Sequence, residues 1–515
     1  IINIGNYCLS TLLLFQTSEA YKALVIFPFP SKSHTILGDN LVKLITDAGN
    51  EVTYLTTFPT GKPPPRIREI DISANQELLK GMILQYKQET DLKDFVTVLT
   101  ELSALTLLNE GVQKLLNDPN EKFDVIIAEW MYVDVYIGLT PIFDCPLIWL
   151  STVEPHWKLL RIIDEIPNPA YNPDIISNNQ PPFNFLQRVQ ELGFQIVGKV
   201  LQDFYTSPQE YEQYDNIIAP ILRKRGKPVP DFEELRFNAS LVLGNSHVSL
   251  GRATRLPQIY KPIAGYHISK EMKPLTGDLK KLLDNAKHGV VYFSLGSNLK
   301  SKYLPHELKQ SLLKMFGELK QTVLWKFEED LPNKPSNVHI IHWAPQPSIL
   351  AHENCVLFIT HGGILSITEA VHFGKPIIGI PVFGDQFSNV YRAIRKGFAK
   401  KVELSYTMAT EMKAAIEEIV DDPRYAAKAK ELSFIYHDRP VTPAAELVHW
   451  VRHVVVTRGA LHLRSPALQV AWYQKLYLDL ALLILAVLYG LKTILKRIWM
   501  RVFGKKKSNE KKKKN

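Results

Sequence analysis

Cysteine is scarce in this sequence of 515 residues, which contains only Cys8, Cys145 and Cys355. Cys145 and Cys355 each lie in an apolar run typical of a buried strand, one in each half of the chain, so we expect no structural disulfide. No metal cluster can be built from these cysteines alone. A disulfide-rich fold is therefore excluded, and the 46% hydrophobic content is sufficient for a large core instead.

The sequence also lacks the Gly-x-Gly-x-x-Gly spacing of dinucleotide-binding turns. A nicotinamide oxidoreductase would carry this motif after its first strand, because the glycines let the backbone approach the pyrophosphate closely. Pro28-Phe29-Pro30 follows the first predicted strand instead. The absence of the motif argues against an NAD-dependent enzyme.

An excess of positive charge is lacking everywhere except at the C-terminal end. The formal net charge is +9, but residues 492–515 contain eleven Lys or Arg and one Glu, a net +10 that leaves about −1 for the remainder. A nucleic-acid-binding domain would instead carry its basic residues on the folded part. The charge pattern therefore does not predict a nucleic-acid partner.

Apolar segments occur near both ends of the sequence. Residues 8–15 are mostly apolar, and Ser18-Glu19-Ala20 offers the small residues that a signal peptidase requires, so residues 1–20 are predicted to be a signal peptide. Residues 474–495 are predicted to be a transmembrane helix, because about 20 apolar residues suffice to cross a bilayer. The basic residues 496–515 that follow are typical of a cytoplasmic tail.

Strand-like and helix-like segments alternate through the rest of the chain. The first half has apolar runs at residues 23–27, 52–55, 124–128, 147–150 and 241–245, with amphipathic helical patterns over residues 36–45, 95–116 and 185–204. The second half has strand-like runs at residues 290–293, 322–325, 339–342, 356–359 and 377–380. Residues 255–265 are predicted to be a linker, and residues 440–464 to be helical. Such alternation predicts two parallel α/β sheets.

The most informative stretch covers residues 358–386. Thr360-His361-Gly362-Gly363 follows an apolar strand, a helix then ends at Gly374 and Pro376, and a second apolar strand comes next. The glycines allow a sharp turn, and the helix that follows presents unpaired N–H groups and a positive dipole at its N-terminus. This stretch therefore predicts an anion-binding turn.

Three elements, in their order along the chain, resemble the signature of the UDP-glycosyltransferase family, in its membrane-bound, insect-like invertebrate branch. They are Phe293-Ser294-Leu295-Gly296-Ser297, then Trp343-Ala344-Pro345-Gln346, and then the stretch of residues 358–386 with its closing Asp385-Gln386. The resemblance covers nearly the whole chain. It implies the GT-B fold, an α/β architecture in which two Rossmann-like domains with parallel sheets face one another.

The resemblance, taken with the two ends, predicts the domain organisation. Residues 21–254 would form an N-terminal acceptor-binding domain, and residues 255–440 a C-terminal domain that binds the UDP-sugar. Residues 441–471 would return to pack on the N-terminal domain, ahead of the transmembrane helix. In this family the region around residues 185–204 contributes to the acceptor site and approaches the membrane, although core packing is an equally good interpretation of its apolar residues.

The resemblance also implies the catalytic residues. The family's catalytic base is a His in the loop after the first strand, which matches His34, and an imidazole titrates near neutral pH as a general base should. The base needs an acidic partner to orient it. The family has an Asp just after the strand at residues 124–128, where this sequence has Glu129. Asp39 and Asp134 remain as alternative partners.

The donor-binding residues are likewise implied by the resemblance. Trp343 would stack on uracil, Gln346 would hydrogen-bond it, and Glu369 would bind the ribose hydroxyls. Asp385 and Gln386 would hold the hydroxyls of the sugar. The remaining residues would bind the diphosphate or lie beside the nucleotide, and these are Ser294, Gly296, Ser297, Lys326, Thr360, His361, Gly363 and Ser366. Leu365 occupies a position that is often Asn in the family, so we expect that phosphate contact to be missing.

No two aspartates stand two residues apart, so the Asp-x-Asp metal clamp of other sugar-nucleotide enzymes is absent. The helix dipole and His361 would replace the metal cation, and neither a metal nor a cofactor is expected. The implied reaction is inverting transfer of a hexose from a UDP-sugar to a hydroxyl of a small lipophilic acceptor. UDP-glucose is the favoured donor and UDP-glucuronate the alternative, while a GT-B binding protein with weakened catalysis is a second alternative.

The implied location is the membrane of the endoplasmic reticulum, crossed once in type I topology, with the catalytic body in the lumen. Lys512 and Lys513 resemble a dilysine retrieval signal, although a plain basic tail that meets anionic lipid is the alternative. Asn238-Ala239-Ser240 is the single sequon and makes Asn238 a candidate glycosylation site. The implied role is detoxification or conjugation of endogenous metabolites, and self-association as a homo-oligomer is left open.

Overall fold

The computed structural model describes residues 20–78, 92–175, 177–297 and 299–511, which form two compact units. The first unit ends at Arg464 and contains both sheets, and the second begins at Ser465. The predicted signal peptide and the retrieval signal at Lys512 and Lys513 lie outside the described residues, except for residue 20.

The first sheet has seven strands, all parallel, and its central strands are buried on both faces because they are almost wholly apolar. Their order in the sheet is β3-β2-β1-β4-β5-β6-β7. The strand order reverses between β1 and β4, and ligands of open α/β sheets bind at the carboxyl ends of strands at such a point. The strands are β1 Lys22–Phe27, β2 Glu51–Thr56, β3 Ile67–Asp71, β4 Val125–Trp130, β5 Leu147–Ser151, β6 Leu241–Gly244 and β7 Tyr260–Pro262.

The helices of the first half connect these strands or cover the faces of the sheet. Two of the helical segments, Gln202–Thr206 and Tyr214–Ile218, are π-helical turns, and Val135–Leu139 is a 3₁₀ turn. The α-helices are Lys32–Asp47, Leu92–Leu108, Glu110–Asn117, Thr140–Phe143, Trp157–Leu160, Phe185–Leu201, Ser207–Gln213, Ala219–Lys224 and Phe232–Leu235.

The second sheet has six parallel strands in the order β10-β9-β8-β11-β12-β13, so its own reversal lies between β8 and β11. Its strands are β8 Val290–Ser294, β9 Thr322–Lys326, β10 Val338–Ile341, β11 Cys355–Thr360, β12 Ile377–Gly379 and β13 Ala399–Lys401. Its α-helices are Gly277–Asp284, His306–Gly317, Gln346–Ala351, Ile364–His372, Gln386–Arg395, Met408–Asp421 and Pro423–His437, with a 3₁₀ turn at Ser301–Tyr303. The prediction of two parallel-sheet domains is confirmed.

One helix from the C-terminal side of the second sheet packs on the first. The helix Pro443–Val456 buries Leu447, Val451 and Val454, and these side chains belong to the hydrophobic core of the first sheet. Their spacing places them on one face of the helix. A 3₁₀ turn, Leu461–Leu463, follows before the first unit ends.

Several boundaries differ from the predicted ones. The helix predicted over residues 95–116 is broken at Asn109, whose side chain accepts hydrogen bonds from the backbone N–H groups of Gly111 and Val112 and so caps a new helix. His34 lies in the first turn of the helix Lys32–Asp47 rather than in a loop, and Glu129 lies within β4 rather than after it. The predicted linker at residues 255–265 contains β7, which pairs with β6 of the first sheet.

The second unit consists mostly of one long helix, Leu478–Lys511, preceded by the short helix Trp472–Lys475 and a 3₁₀ turn at Pro466–Gln469. Residues Leu478–Phe503 are long and apolar enough to cross a membrane, with a mean hydropathy of 2.1 and with none of the apolar window buried. The helix continues past the predicted end at residue 495 because Lys and Arg are good helix formers, so the start of basic residues does not stop it.

Candidate active site

The first half brings His34 and Glu129 together at the point where its strand order reverses. Nδ1 of His34 contacts Oε1 of Glu129, and Oε2 of Glu129 accepts the backbone N–H of Phe29 at 3.4 Å. The Glu129 side chain is fully buried, whereas 16% of the His34 side chain is exposed. Because an ionised carboxylate only accepts hydrogen bonds, Nδ1 carries the proton and Nε2 of His34 is the free basic nitrogen.

Both alternative acidic partners are bonded elsewhere. Asp39 accepts a hydrogen bond from the hydroxyl of Tyr54 at 3.2 Å. Asp134 accepts one from the indole of Trp130 at 2.8 Å and forms an ion pair with Arg161 at 3.1 Å. Glu129 is thus the carboxylate that contacts His34, and the longer side chain of Glu reaches the imidazole.

In the second half, the turns that follow β8 and β11 lie against each other. A Cβ placed on Gly296 would lie 2.5 Å from Cε1 of His361, and one placed on Gly363 would lie 2.6 Å from its Nε2, so only glycine fits beside this ring. The hydroxyls of Ser294 and Thr360 accept the backbone N–H groups of Gly296 and Gly362. Ser294 and Thr360 therefore support the two turns.

His361 is neutral at physiological pH. Burial, together with the nearby ammonium of Lys326, lowers the pKa of His361 to about 4. The imidazole can therefore offer one N–H donor but carries no charge until an anion binds beside it and raises its pKa.

The helix Ile364–His372 begins directly at this turn, with Gly363 as its N-cap. The first N–H groups of a helix have no partners within the helix, and here they face the same turn as Gly296 and His361. Leu365, in the position that is often Asn in the family, packs against the hydrophobic core of the first half. The expected loss of a polar contact at residue 365 is therefore accompanied by an apolar contact between the two halves.

Gln346, Ser366 and Glu369 form one hydrogen-bonded group behind the turn. Nε2 of Gln346 donates to Oε2 of Glu369 at 2.7 Å and to the Ser366 hydroxyl at 3.3 Å. Tyr292 donates its hydroxyl to Oε1 of Gln346 at 3.2 Å. His267 adds a buried imidazole 3.4 Å from Oε1 of Glu369. The amide and the carboxylate are held in fixed positions, as recognition of a base and a ribose requires.

The Trp343 side chain is exposed, whereas the Lys326 side chain is buried and hydrogen-bonded. The indole of Trp343 is 59% exposed, so one face is available for stacking. Nζ of Lys326 lies 5.8 Å from the centre of that ring, donates to the Gly296 carbonyl at 3.0 Å and pairs with Glu328 at 2.7 Å. Lys326 therefore fixes the Gly296 turn, and much of its charge is neutralised by Glu328. Ser297 follows this turn and is half-buried.

Asp385 and Gln386 lie at the start of the helix Gln386–Arg395. Oε1 of Gln386 accepts the backbone N–H groups of Val382 and Phe383 at 2.9 and 3.2 Å, which leaves its amide N–H₂ for a ligand. Burial raises the pKa of Asp385, and the opposing causes are Asn389, Arg392 and His34. The charge of His34 is among those that act on the Asp385 carboxylate, so the two halves approach each other near this residue.

Sequence reasoning missed four residues of this site, which are His267, Tyr292, Asn389 and Arg392. Their positions carry no signal in the sequence, apart from the helical spacing that puts Asn389 one turn beyond Asp385. Within the described ranges, no three His, Cys, Asp or Glu side chains are grouped as a metal site would need.

Comparison with known proteins agrees with this geometry. The model of the family described as "UDP-glucoronosyl and UDP-glucosyl transferase" matches residues 42–515. "UDP-glucosyltransferase 2" from Dactylopius coccus is 33% identical over 94% of this chain and 94% of its own length. "UDP-glucuronosyltransferase 2B1" from Rattus norvegicus is 28% identical over 83% of this chain and 79% of its own length.

Solved structures share the fold at much lower identity. Glycosyltransferase VinC in complex with DTDP has a TM-score of 0.56 at 14% identity, covering 85% of this chain and 100% of that one. The calicheamicin glycosyltransferase CalG4 has a TM-score of 0.55 at 13% identity, covering 85% and 99%. These similarities show the GT-B glycosyltransferase fold. With the family match over most of its length, the chain belongs to the UDP-glucoronosyl and UDP-glucosyl transferase family and is a UDP-glycosyltransferase.

Proposed function

We propose that this enzyme transfers a hexose, with glucose favoured, from a UDP-sugar to a hydroxyl of a small lipophilic acceptor, with inversion at the anomeric carbon. The observation that carries the proposal is the contact between His34 and Glu129 at the strand-order reversal of the first sheet. A histidine with one nitrogen held by a buried carboxylate and the other free is arranged as a general base.

The reaction is a single displacement. Nε2 of His34 accepts the proton of the acceptor hydroxyl, and Glu129 stabilises the resulting imidazolium. The acceptor oxygen forms a bond to the anomeric carbon on the face opposite the diphosphate, while the bond from that carbon to the diphosphate oxygen breaks. UDP leaves with the electron pair of the broken bond, and the configuration of the sugar is inverted.

The second half binds the donor in this proposal. Uracil stacks on Trp343 and forms a hydrogen bond with Gln346. The Glu369 carboxylate accepts hydrogen bonds from the ribose hydroxyls. The diphosphate lies at the turn formed by Gly296 and His361, facing the N-terminus of the helix Ile364–His372, where N–H groups and the helix dipole favour an anion. Asp385 and the amide of Gln386 hold the sugar hydroxyls.

The preference for glucose rests on the relatives. The Dactylopius coccus protein that is 33% identical is named a glucosyltransferase. UDP-glucuronate is the second candidate donor, because the rat protein that is 28% identical is named a glucuronosyltransferase. A binding protein with weakened catalysis is disfavoured, because Glu129 keeps contact with His34 despite replacing Asp.

The proposed location is the endoplasmic reticulum, with the catalytic body in the lumen, a single type I span and a role in detoxification or metabolite conjugation. The apolar helix Leu478–Phe503 followed by basic residues supports this topology. The signal peptide at residues 1–20, the retrieval signal at Lys512 and Lys513, and glycosylation of Asn238 belong to the same proposal.

Microsomes containing the full chain, incubated with radiolabelled UDP-sugars and a panel of phenols, test the proposed reaction. We expect radiolabel from UDP-glucose on at least one acceptor, with the opposite anomeric configuration in the product. The matched control is the His34→Ala chain at equal expression, which should form product at a rate lower by a factor on the order of 10²–10⁴. Transfer from UDP-glucuronate alone would support the second donor, and UDP binding without any transfer would support the binding protein.

A further inference from the structure

The helix Gln386–Arg395 holds one amide that the proposed reaction does not use. Asn389 is only 3% exposed. Its Nδ2 donates to Oδ2 of Asp385 at 2.7 Å and to the carbonyl oxygen of Gly362 at 3.1 Å, and its Oδ1 accepts from Nη2 of Arg392. All of its amide hydrogens are therefore committed to Asp385 and Gly362.

The chemistry of the neighbours permits one orientation of this amide. The guanidinium of Arg392 only donates hydrogen bonds, and the carbonyl of Gly362 only accepts them. A flipped amide would place Oδ1 against the Gly362 carbonyl and the Asp385 carboxylate, with N–H₂ against N–H₂ at Arg392. Arg392 thus fixes the direction in which Asn389 donates.

Asn389 joins two parts of the donor site that are distant in sequence. Asp385 precedes the helix, whereas Gly362 lies in the turn between β11 and the helix Ile364–His372. The turn packs directly on the helix, since a Cβ on Gly362 would lie 2.3 Å from Cγ2 of Val390. Gly362 has a φ of 86°, which glycine adopts without strain, so the turn can keep this close approach.

We propose that Asn389 is a positioning residue that holds the Asp385 carboxylate at a fixed distance from the diphosphate turn, so that a hexose and its diphosphate are bound as one unit. This inference rests on the proposed role of Asp385 in binding the hexose. A neutral amide is required at residue 389, because a second carboxylate would repel both Asp385 and the Gly362 carbonyl. The hydrogen bond from Asn389 also opposes the rise in the pKa of Asp385 that burial causes, which favours the hydrogen-bond-accepting carboxylate.

Calorimetric titration of the full chain with UDP and with UDP-glucose tests the proposal. Asn389→Leu and the isosteric Asn389→Asp should leave UDP affinity nearly unchanged and weaken UDP-glucose binding by roughly ten- to hundredfold, as loss of a buried hydrogen bond to a charged group implies. Two variants are used so that a folding defect in one does not decide the result, and thermal unfolding of each is recorded. The ligand-binding readout does not require turnover.

A double-mutant cycle separates positioning from general support of the fold. If Asn389 acts through Asp385, adding Asn389→Leu to Asp385→Asn should cause no further loss of UDP-glucose affinity. Ser388→Ala is the matched control, because the buried Ser388 hydroxyl donates to the backbone carbonyl of Asp385 at 3.0 Å and not to its carboxylate. This control should bind UDP-glucose like the wild type.

Three results would overturn the inference: wild-type UDP-glucose affinity in both Asn389 variants, equal weakening of UDP and UDP-glucose, or additive losses in the cycle. Failure of the proposed function gives a different pattern. A wild-type protein that binds UDP-glucose no better than UDP would refute both the proposed sugar site and the inference. One that gains affinity from the sugar without transferring it would contradict the proposed function alone.

Discussion

At the residue scale, the contact between His34 and Glu129 depends on the length of the Glu129 side chain. Glu129 lies near the carboxyl end of β4, and its added methylene carries the carboxylate to His34 in the first turn of the helix Lys32–Asp47. The ring of Phe29 lies 4.4 Å from that of His34 and covers part of it. The imidazole is thereby fixed on two sides, by Glu129 and by Phe29.

His34→Ala should remove most turnover while UDP binds normally, because the base acts on the acceptor and not on the nucleotide. The expected loss in rate is on the order of 10²–10⁴-fold. Steady-state rates and UDP titration on the same preparation check this. A variant with nearly wild-type rate would refute the role of His34.

Glu129→Gln should slow turnover much more than it weakens acceptor binding, because the amide cannot stabilise the imidazolium as a carboxylate does. The Asp side chain is one methylene shorter, so Glu129→Asp should keep substantial activity only if the backbone moves enough to restore contact between the carboxylate and His34. The comparison is kcat against the KM for the acceptor. Asp39→Asn is the control and should be nearly silent, since Asp39 bonds Tyr54 instead; an active Glu129→Gln would contradict the assignment.

Much of the candidate site could be predicted because its residues occur in contiguous motifs. Such patterns predict His34, Trp343, His361, Glu369 and Asp385. The protonation of His361 could not be predicted, because it depends on burial and on Lys326, a residue 35 positions away in the sequence. The contribution of Asn389 depends on its contact with Gly362, which only the packing of a turn on a helix creates.

At the element scale, strongly apolar segments were predicted well and short marginal ones were missed. The buried strands β1, β4, β5, β8 and β11 each carry an almost continuous apolar run. The missed strands β3 and β13 carry charged residues. Each of β3, β7 and β13 is an edge strand of its sheet. Their pairing is set by the neighbouring strand rather than by their own pattern.

The N-terminus of the helix Ile364–His372 leads to a prediction about metals. EDTA should leave activity largely intact, because backbone N–H groups and the helix dipole stabilise the leaving diphosphate. His361 would add charge only after the diphosphate raises its pKa from about 4. Initial rates with EDTA and with added Mg²⁺ or Mn²⁺ provide the measurement. Strict dependence on either metal would show that the protein's own dipoles are insufficient.

At the scale of the whole molecule, both sheets and the helix Pro443–Val456 belong to the first unit, and the long apolar helix belongs to the second. No residue of the predicted catalytic or donor site lies beyond Arg464. The first unit nevertheless exposes apolar side chains along one helix, Phe185–Leu201, among them Phe185, Leu186, Val189 and Val197. Membrane attachment through the second unit and attachment through this helix can therefore be separated by experiment.

A chain that stops before Trp472 should be a soluble, folded protein that still binds UDP. The reason is that the core of the first unit is complete by Arg464, whereas the removed residues contain the apolar helix Leu478–Phe503 and basic residues. Alkaline extraction of membranes, followed by UDP titration of the released protein, measures both properties, with the full chain as the control that stays in the pellet.

Retention of the truncated chain on membranes would show a second attachment, and replacing Leu186, Val189 and Val197 with Ser should then release it. A soluble truncated chain that fails to bind UDP would instead show that residues after 471 are required for the fold of the first unit.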